Sequence, residues 1–224
     1  KTFGQWLYTG ESTYSSFFNN GYSVVRRANA ILENIDNFAA GTFKDNIKGE
    51  ALAARAMIYF DMARIFAKTY TNAAATDSVL PYVIATDPTI LPAKEPVTVF
   101  YDKLVADLEA AKILVSTSTT TNTKFTKRAV SGLLSKIYLY RGEWQKCVTA
   151  SNDALGSATE VTSLANFIKI WQDNSEDGVF FKIKNTKTDN LNSQGVNYYQ
   201  TVGGQRKSEY VVEYNLNQLF TIDD

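Results

Sequence analysis

Between Tyr22 and Leu155 apolar side chains return every three or four residues, segment after segment, and that spacing commits this stretch to amphipathic helices packed on one another. The first stripe is Val24, Val25, Ala28, Ile31, Leu32 and Ile35, with Gly41 as its stop. A longer helix is predicted from about Asn46 to Lys68, with Ile47, Ala51, Ala54, Ile58, Met62, Ile65 and Phe66 on one side and alanines that let a neighbour approach closely. From Tyr70 to Glu95 the periodicity breaks, and Pro81, Pro88 and Pro92 mark a long irregular connection. Behind Pro96 comes the cleanest stripe: Val97, Phe100, Tyr101, Leu104, Val105, Leu108, Ala111 and Val115. A Ser/Thr tract over 116–123 reads as a solvated loop, and Thr126 as the N-cap of a fourth helix carrying Val130, Leu133, Leu134, Ile137 and Tyr138. A fifth follows Arg141-Gly142 at once, with Trp144, Cys147, Val148, Ser151 and Leu155.

The last two helices form a predicted hairpin. Leu134, Tyr138, Gly142, Trp144, Ala154 and Leu155 fall at spacings that resemble a tetratricopeptide unit, with Ser135 and Cys147 in small-residue positions. Ser131 and Ser151 depart from that pattern, which prefers Trp and an aromatic there. Beyond Gly156 the character changes. Leu164, Phe167, Ile168 and Trp171 suggest a short helix, Gly178 to Lys184 reads as a strand, and 185–205 as a long polar surface loop. A final short helix is predicted near Tyr214 to Phe220. The expected class is therefore mainly α: tetratricopeptide-like hairpins over 1–156, with a loop insertion at about 70–95, then an irregular, partly β region over 157–224.

Composition narrows function. Lys+Arg 23 against Asp+Glu 23 leaves no surplus of cations to neutralise phosphates, so nucleic acid is not an expected partner. The chain has no His and one Cys, which removes the commonest general base, the Ser-His and Cys-His pairs, imidazole zinc sites and any internal disulfide. No cofactor or metal is expected. No apolar run reaches the roughly 18 residues of a membrane span, and KTFGQWLYTG has no basic stretch followed by an apolar core. The sequence ends on Phe220-Thr-Ile-Asp-Asp224 without a helix stop, and reads as a piece of a longer chain. Aromatics are abundant, with Tyr 13, Phe 13 and Trp 3.

Five segments in succession resemble the SusD/RagB family of surface nutrient-binding proteins of Bacteroidetes-type bacteria. They are Tyr22-Ser-Val-Val-Arg-Arg-Ala-Asn29, GEALAARAMIYFDMARIFA from Gly49 to Ala67, VFYDKLVADLEAA from Val99 to Ala111, Thr126-Lys-Arg-Ala129, and LLSKIYLYRGEW from Leu133 to Trp144. VFFKIK and NLNQLFTIDD look like the start of that family's irregular second part, and members are roughly twice this length. The resemblance implies capture of an oligosaccharide, or another nutrient, and its delivery to a SusC-like TonB-dependent transporter, without catalysis. It also implies a place on the extracellular face of the cell outer membrane through a lipid anchor. The only Cys is Cys147, inside a predicted hairpin, so no lipidated N-terminal Cys is present in this sequence.

A sugar offers C–H ring faces and hydroxyl rims, so its site combines flat aromatic surface with amides and charges. Trp6, Tyr8, Tyr14 and Phe18 lie beside Asn20 and other polar residues just before the first predicted helix, and these are the expected carbohydrate contacts. The resemblance places ligand-contacting aromatics there, with Phe18 as the nearest counterpart. The competing reading is that these rings plug the end of the scaffold. Tyr198 and Tyr199, in the predicted polar loop, complete the candidates.

Glu50, Arg55, Arg27 and Asn29 could suggest a charged catalytic centre, but their helical placement favours solvated or interhelical pairs. Asp107 and Glu109 do not face each other. Cys147 is expected to be a buried, inert thiol, and Arg128, Lys136 and Arg141 a solvated face. Two alternatives remain at this stage. One is a tetratricopeptide-type protein-interaction module that ignores sugars. The other is a glycosidase, whose two carboxylates would stand roughly 5 to 9.5 Å apart.

Overall fold

The computed structural model describes residues 15–118, 122–158, 161–172, 174–184, 200–207 and 214–219. Its helices are α1 (Ser15–Asn34), α2 (Thr42–Phe66), α3 (Val97–Leu114), α4 (Lys127–Arg141), α5 (Trp144–Leu155), α6 (Leu164–Trp171) and a single turn, α7 (Tyr214–Asn217). Compact packing divides the chain into Lys1–Lys182 and Ile183–Asp224.

Contacts along successive interfaces run in opposite senses, which makes the helices antiparallel neighbours. Gly21 of α1 lies against Met62 of α2, Tyr22 meets Tyr59 at 6.0 Å, and Asn29 accepts from Arg55 at 2.8 Å. On the other side of α2, Gly49 lies against Val115, Arg55 pairs with Asp107, and Tyr59 meets Phe100 at 5.6 Å. In the α4–α5 hairpin Arg128 donates to the Ala154 carbonyl at 2.8 Å, and the Ser135 and Ser151 hydroxyls share a 2.6 Å bond. Gly142 makes the turn between them: at φ 73° it caps α4 in the left-handed conformation, and the Glu143 N–H returns to the Tyr138 carbonyl. This is the tetratricopeptide-like stack expected from the spacing.

Burial explains where the stripes were clear and where they were not. α3 buries Val97, Phe100, Tyr101, Leu104, Leu108 and Ala111, as its pattern predicts. α2 lies between α1 and α3 and is buried on two sides, so its core residues include Ala53, Ala56, Tyr59, Phe60, Met62 and Ala63, while Ile65 is exposed. α5 closes the stack and covers only Ala150 and Ala154; Trp144 and Val148 are open to solvent. Each large side chain fully buried here, such as Phe60, Tyr101 or Leu104, contributes roughly 1.5–3 kcal/mol.

Several expectations are corrected. α1 begins well upstream of Tyr22, because Gly21 is no break: a Cβ there would sit 2.4 Å from the Met62 sulfur, so the glycine lets the helices touch. Gly41 is the N-cap of α2, at φ 149°, and the first helix ends earlier, in a 3-10 turn at Ile35–Asn37. Gly178–Lys184 is extended but is no strand. Val179 donates to the Glu176 carbonyl at 3.1 Å and Lys182 to the Asn122 carbonyl at 2.7 Å, neither within a ladder, while Phe181 stacks on Phe125 at 4.1 Å.

The expected 185–205 loop ends in a hairpin, β1 (Gln200–Val202) with β2 (Gln205–Lys207), turned by Gly203 and Gly204 at φ 59° and 76°. Cys147 is half-buried rather than buried. Of Arg128, Lys136 and Arg141, expected as a solvated face, Lys136 is exposed while the two arginines are half-buried. Arg128 lies over Phe180 at 4.5 Å, Lys136 over Phe60 at 5.9 Å, and Arg141 bridges Asp102 at 2.8 Å.

The 70–95 connection is irregular as expected, yet it is fastened by side chains. Tyr22 donates to the Pro81 carbonyl at 3.0 Å, Asn29 to Val83 at 3.0 Å, and the Tyr59 hydroxyl accepts the Val83 N–H at 2.7 Å. Glu33 accepts the Thr86 N–H at 2.8 Å. Its own Val79, Leu80 and Tyr82 are buried.

Candidate functional site

The aromatic residues that open α1 lead from the surface into this fastening. Phe17 and Phe18 approach Phe66, the last residue of α2, at 6.3 and 5.3 Å, the second edge to face. Phe18 also meets Tyr22 at 4.9 Å, Tyr22 meets Tyr59, and Tyr59 stacks on Tyr82 at 4.3 Å. Such pairings are worth about 0.5–1.5 kcal/mol each beyond their burial. Helix i, i+4 spacing puts Phe18 and Tyr22 on one side of α1.

Phe66 then forms one wall of a cavity of about 390 Å³, where the end of α2 meets the 73–79 segment and Val97. Its polar groups are Lys68, Asp77 and Ser78. Lys68 donates to both Asp77 oxygens at 3.0 and 2.9 Å, and the Ala74 N–H donates to Asp77 at 2.8 Å. Those bonds hold the Asp77 carboxyl below its ordinary pKa, the Lys68 bond most of all. A phenyl wall beside an ammonium, a carboxylate and a hydroxyl is what a sugar's ring face and hydroxyl rim require.

Burial pushes the Tyr22 hydroxyl up to about 12, so it stays protonated and serves as the donor to Pro81. Tyr59 and Tyr82 are pushed higher still, again by burial first. The charged cluster suspected on the helices does not assemble: Arg27 is exposed, Glu50 lies beside Lys124 and Phe125, and Arg55 and Asn29 belong to a structural network. Arg55 pairs bidentately with Asp107 at 2.7 and 2.8 Å and reaches Asn29, while Tyr82 donates to Asp107 at 2.7 Å. Burial works against the Arg55 cation, but the bond and charge of Asp107 outweigh it and its pKa lies above the ordinary value. Glu109 points elsewhere, to the Tyr138 hydroxyl at 3.0 Å.

Of the residues expected at the site, Phe18 is half-buried against Phe66 and Tyr22, and Asn20 is exposed on α1. Trp6, Tyr8, Tyr14, Tyr198 and Tyr199 lie outside the described residues. Phe66, Lys68, Asp77 and Ser78 were not singled out by the sequence. Phe66 was read only as helix packing, and the pairing of Lys68 with Asp77 depends on how the irregular connection folds back.

Comparison with known proteins decides the family. The SusD-like family described as "Starch-binding associating with outer membrane" matches residues 4–139. The chain belongs to this family. No curated protein matches it in sequence. A Bacteroides vulgatus crystal structure assigned to sugar binding superposes with a TM-score of 0.75 at 26% identity, over 85% of this chain and 45% of that one. A SusD superfamily protein from Bacteroides thetaiotaomicron gives 0.60 at 28%, over 66% and 33%. A laminarin-binding SusD-like protein, at 20% identity and a TM-score of 0.58 over 70% and 34%, shares the fold. The chain thus spans less than half the length of these solved relatives.

Proposed function

We propose that this protein captures an oligosaccharide at the extracellular face of the outer membrane and hands it to a SusC-like TonB-dependent transporter, by binding alone. The family match over 4–139 carries this reading. The cavity beside Phe66 supports it, because its wall and polar groups suit a sugar and its neighbours are held by the α1–α2 stack. The contacts proposed are Trp6, Tyr8, Tyr14, Phe18 and Asn20, with Tyr198 and Tyr199 from the later segment. Affinity would come from desolvating ring faces, and orientation from a few amides and charges. Anchoring would be through a lipid on the mature N-terminus of the longer protein.

The experiment is a glycan titration followed by tryptophan fluorescence, with Trp6→Ala beside the unaltered chain. Saturable quenching that weakens at least tenfold in the variant is the expected result. Equal binding by both would remove Trp6 from the site, and no binding by either would remove the function. Transporter delivery is checked by co-purification with a SusC-like TonB-dependent transporter.

A further inference from the structure

A second concavity lies between α2 and the residues Ser116 and Lys124 to Thr126, away from the residues assigned above. It encloses about 270 Å³, below the roughly 300–1,000 Å³ of sites that hold drug-sized ligands, so it suits one sugar ring rather than a chain. Phe43 stands on its rim with 73% of its surface open, in the first turn of α2. A phenyl ring left that exposed contributes nothing to the core and offers a flat apolar face.

The polar lining is arranged for hydroxyls. Glu50 and Lys124 both face the cleft and feel each other's charge, yet they form no ion pair, so the space between an acceptor and a donor stays open. Asn46, one turn after Phe43 on α2, adds an amide with both donor and acceptor capacity, and makes no hydrogen bond among the described residues. Ser116 is half-buried beside them, whereas Thr126 is already engaged as the cap of α4. Burial raises the Glu50 pKa above its ordinary value, against the pull of Lys124 and the Phe125 N–H. An acceptor that is partly desolvated and not neutralised by its neighbour gains most from a ligand hydroxyl. Opposite charges in one cleft also disfavour a purely anionic or cationic ligand.

We infer that this cleft is a second carbohydrate subsite, taking one neutral pyranose unit with its ring face on Phe43 and its hydroxyls between Glu50, Lys124 and Asn46. The inference rests on the glycan-binding function proposed above and adds a place on the scaffold that holds a single residue of the same class of ligand.

The test is an amide chemical-shift titration of the isotopically labelled chain with D-glucose, D-galactose and D-mannose in turn. At least one sugar is expected to move the amides of Asn46, Ile47, Lys124 and Phe125 saturably. Phe43→Ala, whose side chain is exposed and outside the core, should weaken that binding at least tenfold, as should Asn46→Ala, and Glu50→Gln should weaken it while keeping the fold. If none of the three sugars moves those amides, or if the shifts persist unchanged in Phe43→Ala and Asn46→Ala, the subsite does not exist. The amides of Phe66, Lys68 and Asp77 report the first cavity in the same spectra when an oligosaccharide is added. Failure of one site is therefore read separately from failure of the other.

Discussion

Arg55 and Asp107 are two charges with side chains only 7% and 13% exposed, on helices that the chain separates by the whole 70–95 connection. Removing Asp107 leaves the guanidinium buried without its counter-charge, a loss of about 3–5 kcal/mol. The Tyr82 hydroxyl also loses its acceptor, about 1 kcal/mol more. Asp107→Ala should therefore cost about 4–6 kcal/mol. For a chain of this size the urea slope is about 3 kcal/mol/M, so the midpoint should fall by about 1.3–2 M.

The paired replacement Arg55→Met with Asp107→Leu removes both charges together and should cost less than Asp107→Ala alone, since no unpaired ion remains. The assay is urea unfolding followed by far-UV circular dichroism and fluorescence, with m compared across variants. A midpoint shift below about 0.5 M for Asp107→Ala, or a paired variant whose loss equals the sum of the two single losses, would refute the buried-pair argument.

Four further outcomes rest on other contacts of the stack. Gly49→Ala should destabilise by about 1–3 kcal/mol, because its Cβ would lie 2.7 Å from Val115 Cγ1 and 3.1 Å from backbone. Gly21→Ala should likewise destabilise by about 1–3 kcal/mol in the same unfolding measurement, since its Cβ would lie 2.4 Å from the sulfur of the fully buried Met62, a clash that outweighs the up to about 1 kcal/mol of helix propensity gained. Thr126→Ala should cost about 1 kcal/mol by removing the side-chain acceptor of the Ala129 N–H, again read as a midpoint shift. The Thr86 bonds hold the Glu33 carboxyl below its ordinary 4.5. That contact is present above pH 4.5 and lost as pH falls through the lower folded value, so the Thr86 amide shift should titrate with a midpoint below 4.5; one at or above it would contradict the bond.

The helices were legible because burial on one side leaves a period in the sequence, as in α3 from Val97 to Ala111. Where a helix is covered on two sides the period blurs, and the face assigned to α2 was only partly right. The stripe read from Tyr22 gave no sign that α1 runs back through Gly21, since glycine within a helix marks either a break or a close approach, and only the position of Met62 distinguishes them. VFFKIK joins no ladder among the described residues: alternation describes a side-chain pattern, not a ladder. Phe18 could be nominated from its place in the chain, but the cavity beside Phe66 depends on Asp77 and Val97 arriving from elsewhere. Phe43 carried one faint signal, an aromatic directly after Gly41-Thr42 and off the apolar stripe.

The decisive measurement is calorimetric titration of the 224-residue chain with a panel of soluble oligosaccharides, followed by chromatography of the recovered ligand. Saturable heat with at least one oligosaccharide, returned uncut, is the predicted result. A ligand recovered as shorter fragments, or no heat with any member of the panel, would contradict it.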